Sequence, residues 1–108
     1  MERMNEERKV ELVKAAACRA FEVPLEALEY RRDRRPVDAR RAAISFMRKD
    51  LDMTFMGIGA ALGKHHATII HHERVHQELV ENDPGYRQCY REMVTELAAR
   101  GLATASLN

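Results

Sequence analysis

The sequence has little that would interrupt a helix and nothing that would staple a small fold together. Only five glycines and three prolines occur among its 108 residues, and these are the two types most costly inside a helix. The only cysteines, Cys18 and Cys89, lie far apart with no C-x-x-C spacing. That excludes a disulfide framework and a cysteine-rich zinc module, and it predicts two reduced thiols in a cytoplasmic protein. No run approaches the roughly 18 apolar residues of a membrane-spanning helix. The opening "MERMNEERKVELV" is charged and lacks the apolar core of a secretion signal. No segment alternates at period two, so no strand is expected. Neither sign of charge dominates: 18 basic against 17 acidic residues leave a net charge of +1.

What is present favours one globular, all-α domain over residues 1–108, with 45% hydrophobic and 32% charged residues. Val10, Val13, Ala17 and Phe21 recur at helical spacing and predict a first helix over about 6–21. "VPLEALEY" (23–30) reads as a helical turn opened by Pro24. Pro36 is expected to break the chain next, with Asp38 capping a helix over about 39–50 whose apolar face carries Ala43, Ile44 and Met47. Thr54 is placed to cap a short helix, "FMGIGAAL", that Gly63 ends. A longer helix follows from about His66 to Glu81. "NDPG" (82–85) signals a turn, and a last helix covers about 86–99. A short helix, a tight glycine turn and a longer helix form the helix-turn-helix pattern. Gly57, Gly59, Ala60 and Ala61 are expected to let its first helix approach its partner closely.

All five histidines lie in "HHATIIHHERVHQ" (65–77). Within it His72-Glu73-Arg74-Val75-His76 fits the H-E-x-x-H pattern of zinc peptidases. A zinc site needs a third ligand and an open position. Glu92 or Glu96 would be distant choices, and no sheet edge is expected to hold a substrate. On a helical wheel of about 100° per residue, His72 and His76 share an arc with Ile69, Val75, Leu79 and Val80. The pair therefore faces the core, and no metal and no cofactor is expected. A zinc-dependent hydrolase using His72, Glu73 and His76 stands as the enzymatic alternative. "GAALGK" fails as a phosphate-binding loop, because Ile58 stands where the first glycine belongs and His65 where serine or threonine belongs.

The outward side of the same helix carries His66, Ile70 and Arg74, with Ala67 and His71 at its margin. Lys64, His65, His66 and Thr68 cluster at its start. They supply a cation, hydrogen-bond donors and a methyl group, which suit base edges in a major groove. "YRRDRRPVDARR" (30–41) adds six arginines against two aspartates. Such a segment can neutralise phosphates or enter a narrow minor groove. The combination points to double-stranded DNA. A protein-interaction module of the same fold is a further alternative, with exposed Ile70 and the acidic ends in its favour.

Residues 9–97 resemble the C-terminal DNA-binding domain of the bacterial replication initiator DnaA. The stretches that carry the likeness are "RRDRRPVDARRAAISFMRKDL", "TFMGIGAALG" and "KHHATIIHH". The family signature runs glycine-glycine-arginine-aspartate-histidine-threonine-threonine, then two aliphatics and a histidine. Lys64 takes the arginine place and His65 the aspartate place. His66 and Thr68 match, Ala67 replaces the first threonine, Ile69, Ile70 and His71 follow the pattern, and one glycine of the turn is missing. The resemblance implies a fold of about six helices, similar to the Trp repressor, without ATPase activity. It implies DNA contacts from Arg31, Arg32, Arg34, Arg35, Arg40 and Arg48 and from Lys64, His65, His66, Ala67, Thr68 and His71, with Arg32 closest to the arginine that enters the minor groove. It also implies a stand-alone reader linked to replication origins or regulatory sites. His65 and Ala67 depart from the pattern where bases are read, so the preferred sequence is expected to differ.

Overall fold

The computed structural model describes residues 4–104. Among them it shows five α-helices and one 3-10 turn, and no strand. They are α1 (Glu6–Phe21), the 3-10 turn (Leu25–Ala27), α2 (Arg34–Lys49), α3 (Phe55–Leu62), α4 (His66–Asn82) and α5 (Pro84–Ala99). None is long and apolar enough to cross a membrane.

α1 follows its sequence pattern closely. Asn5 caps it through Oδ1, which accepts from the Arg8 amide at 2.8 Å. Glu6 and Glu7 sit in the first turn, where the helix dipole favours carboxylates. The helix ends at Glu22 in the left-handed region, with the Val23 amide bonded back to the Cys18 carbonyl. The four apolar residues that define its expected face are all buried.

α2 is the central helix and packs against all four others. From Ala39 to Met47 every side chain except Arg41 is buried. Alanines 39, 42 and 43 and Ser45 let neighbours approach closely, while Ile44, Phe46 and Met47 fill the core. Its start corrects the expectation drawn from Pro36. The helix begins at Arg34, with Asp33 at the cap position and Pro36 in its first turn. First-turn amides have no partner inside the helix, so a proline there removes no hydrogen bond. Asp38 is no cap either. It is buried within the helix, paired with Arg34 at 3.3 Å and Arg41 at 3.2 Å.

α3 and α4 form the helix-turn-helix. Thr54 caps α3 by accepting from the Gly57 amide at 2.9 Å. Gly63 closes it in the left-handed region, φ 66°. Of the small residues, Gly59 is the one the turn requires. A Cβ there would lie 2.5 Å from the Lys64 carbonyl oxygen. Ala60 and Ala61 face outward instead. Helix propensity alone would make Gly59→Ala stabilising by about 1 kcal/mol. The clash with the backbone reverses the sign, and we expect a loss of about 1–3 kcal/mol. Urea unfolding of the variant decides between the two.

α5 starts at Pro84, two residues before its expected start, because proline suits the first helical position. Asp83 caps it by accepting from the Tyr86 amide at 3.1 Å. Its buried face, Tyr86, Tyr90, Met93, Val94 and Leu97, packs on α1 and α4.

Candidate nucleic-acid interface

The first turns of α4 are open to solvent. His65, His66, Ala67, Thr68, Ile70 and His71 are all exposed, while Ile69 is fully buried. His65 is the N-cap: its Nδ1 accepts from the Ala67 amide at 3.1 Å. That bond leaves Nε2 as the ring's outward donor. The His66 ring packs against it at 4.3 Å between centroids. Arg74 continues the outward face two turns beyond His66.

The arginine-rich segment is not one loop. Arg31 and Arg32 lie in the connection before α2, whereas Arg34, Arg35, Arg40 and Arg41 belong to the helix. Arg31 pairs with Asp33. Arg34 pairs with Asp38 and, at 2.9 Å, with Asp83. Asp83 follows the last residue of α4, so the Arg34 guanidinium stands at the opposite end of that helix from His66. Arg35 reaches Glu22 at 3.4 Å. Arg32 is exposed and has no hydrogen-bond or ion-pair partner among the described residues.

Three residues expected at the DNA surface also hold backbone carbonyls of the chain. Arg40 is only 7% exposed. Its Nε donates to the Leu28 carbonyl and its Nη2 to the Arg31 carbonyl, each at 2.8 Å. Burial and neighbouring Arg41 lower its pKa from the usual arginine value. Lys64 is half-buried, and its ammonium donates to the Glu29 carbonyl at 2.9 Å. Arg48 stacks on the Phe55 ring at 4.4 Å and donates to the Met53 carbonyl at 2.9 Å, fastening the connection between α2 and α3. A sequence shows a cation but not the carbonyl that will claim it.

His72 and His76 face inward, as the wheel predicts. His72 Nδ1 lies 3.2 Å from Arg41 Nε. A guanidinium can only donate, so this imidazole is a neutral acceptor. Burial, then Arg41, Arg40, His71 and Lys64, push its pKa down to about 4. His76 Nδ1 lies 2.5 Å from the Tyr86 hydroxyl. Burial keeps that phenol protonated and able to donate. Burial and then Lys49 bring His76 down to about 3. The Tyr90 ring meets His76 edge-on at 4.6 Å. Glu73 is turned to α2, toward Ser45 at 3.4 Å and Lys49 at 3.5 Å. Among the described residues no three histidine, cysteine or acidic side chains converge to hold a metal. The H-E-x-x-H spacing here serves packing, with each histidine engaged by a side chain of another helix.

A short helix, a glycine turn, and a longer helix whose start is exposed beside a cationic segment define a helix-turn-helix protein of the DNA-binding class. The family model for the bacterial DnaA protein helix-turn-helix matches residues 10–75. The chain belongs to that family. No curated protein matches it. The match runs from α1 into α4 and includes both Arg32 and the first turns of α4.

Proposed function

We propose that the chain binds double-stranded DNA sequence-specifically, as one domain, with the start of α4 in the major groove and Arg32 in the adjoining minor groove. The observation that carries this reading is the pairing of two uncommitted surfaces. The first turns of α4 present His65, His66, Ala67, Thr68 and His71 to solvent. Arg32 alone, of the six arginines in residues 30–41, keeps its guanidinium free of protein partners among the described residues. Arg31, tied only to exposed Asp33, is available to a phosphate. Arg34 and Arg35 are secondary contacts that must exchange carboxylate partners for phosphate. Arg40, Arg48 and Lys64 support the surface from behind. The proposed activity is recognition without catalysis, at replication origins or regulatory sites.

Salt dependence tests it. Removing one phosphate-binding side chain should reduce the slope of log affinity against log salt by about 0.9. Arg31→Ala combined with Arg32→Ala is therefore expected to flatten the slope by up to about 1.8 and to weaken binding. Both side chains are exposed, so melting temperature should hold. Unchanged affinity and slope in this variant would remove the segment from the interface.

A further inference from the structure

The segment carrying Arg31 and Arg32 is held by its carbonyls. Arg40 from α2 takes those of Leu28 and Arg31, each at 2.8 Å. Lys64 takes that of Glu29 at 2.9 Å. Lys14 from α1 holds the Glu29 carboxylate at 2.7 Å. The Arg31 amide donates to the Ala27 carbonyl at 3.1 Å. Arg40 and Lys14 tie the segment to the body of the domain. Among the described residues, Lys64 supplies the hydrogen bond that ties it to the helix-turn-helix.

Lys64 is also launched from a fixed point. Gly63 before it is in the left-handed region and His65 after it caps α4. The Lys64 amide donates to the Gly59 carbonyl at 2.8 Å, and the Lys64 carbonyl leaves no room for a Cβ at Gly59. Backbone position at the turn is thus passed through one side chain to the Glu29 carbonyl, three residues before Arg32.

We propose that Lys64 is a positioning residue: its bond to the Glu29 carbonyl sets where Arg32 stands relative to the first turns of α4 and so couples minor-groove to major-groove reading. This rests on the DNA-binding reading above. A lysine used only as a phosphate contact would contribute independently of Arg32. A lysine that positions Arg32 has no further effect on minor-groove reading once Arg32 is gone.

The experiment has two arms. The first uses the best duplex recovered from a random library and the same duplex with flanking A·T pairs changed to G·C, the two pair types a minor groove distinguishes. Lys64→Met should bring the A·T preference down to that of Arg32→Ala, Lys64→Arg should restore it, and the double variant should equal Arg32→Ala alone. Additive losses, or a preference that survives Lys64→Met, would overturn the proposal. The second arm needs no DNA. In the free protein, amide hydrogen exchange at Arg31 should quicken about fivefold in Lys64→Met and stay near wild type in Lys64→Arg. Unchanged exchange in Lys64→Met overturns the tie itself. Quickened exchange in a protein that shows no duplex affinity overturns the DNA reading, and the coupling with it, but leaves the tie standing.

Discussion

Acidification from pH 7 to pH 4.5 is expected to unfold this domain through two buried histidines. His72 and His76 are 8% and 1% exposed, and their pKa values fall to about 4 and about 3 in the fold. In the unfolded chain each returns to about 6.5. The sign follows directly. A folded pKa below the unfolded one means that the unfolded chain binds more protons, so stability is complete above about pH 6.5 and falls as pH drops toward the folded values. Each histidine contributes a slope of about 1.4 kcal/mol per pH unit, and the pair about 2.7. Two pH units then remove about 5 kcal/mol, comparable to the whole stability of a small domain. The charged groups around them deepen the effect. Arg41, Arg40 and Lys64 oppose protonation of His72, and Lys49 opposes it at His76. Glu96 is held below its ordinary value chiefly by its hydrogen bond to Arg19, so its contribution is lost only as pH falls through the ordinary glutamate range and below. Urea unfolding at pH 7, 6 and 5 measures the slope. His76→Gln or His72→Gln should halve it, whatever the variant's stability at pH 7. Flat stability between pH 7 and pH 5 would mean that the two histidines are not the buried neutral groups described.

The second large effect is expected at the start of α4. His66→Ala with Thr68→Ala should erase much of the preference for one duplex sequence over a scrambled one. A direct base contact is worth roughly 1–3 kcal/mol of discrimination, so two together amount to about 2–6 kcal/mol, from about thirtyfold to about ten-thousandfold. Stability should hold, because both side chains are exposed and alanine is the better helix former. Equal losses on specific and scrambled duplexes would show that these side chains only orient the backbone.

Much of this was legible in the sequence, and the reasons are local. The bounds of α1 followed from an apolar repeat at helical spacing, while its Asn5 cap emerged only in the structure. The inward turn of His72 and His76 followed from a wheel. The partners were not legible. Nothing in the order of residues indicates that Arg41 and Tyr86, distant in sequence, would supply the hydrogen bonds. The different partners of the arginines were not legible for a related reason. Charge counting treats its six arginines alike, while the fold buries Arg40 against two carbonyls, pairs four with carboxylates and leaves Arg32 open. Pro36 misled because a proline breaks a helix only where an amide bond would otherwise form. His65 was legible as a surface residue but not as a cap, since histidine is outside the usual capping set.

Sequence-specific recognition of DNA is decided by selection from a random duplex library, with the native chain at physiological salt. The expected result is enrichment of one short site with a defined major-groove core beside an A·T-rich flank, bound at least about a thousandfold more tightly than random duplex. Recovery of the starting distribution, or binding that tracks salt alone with no preferred sequence, would contradict it.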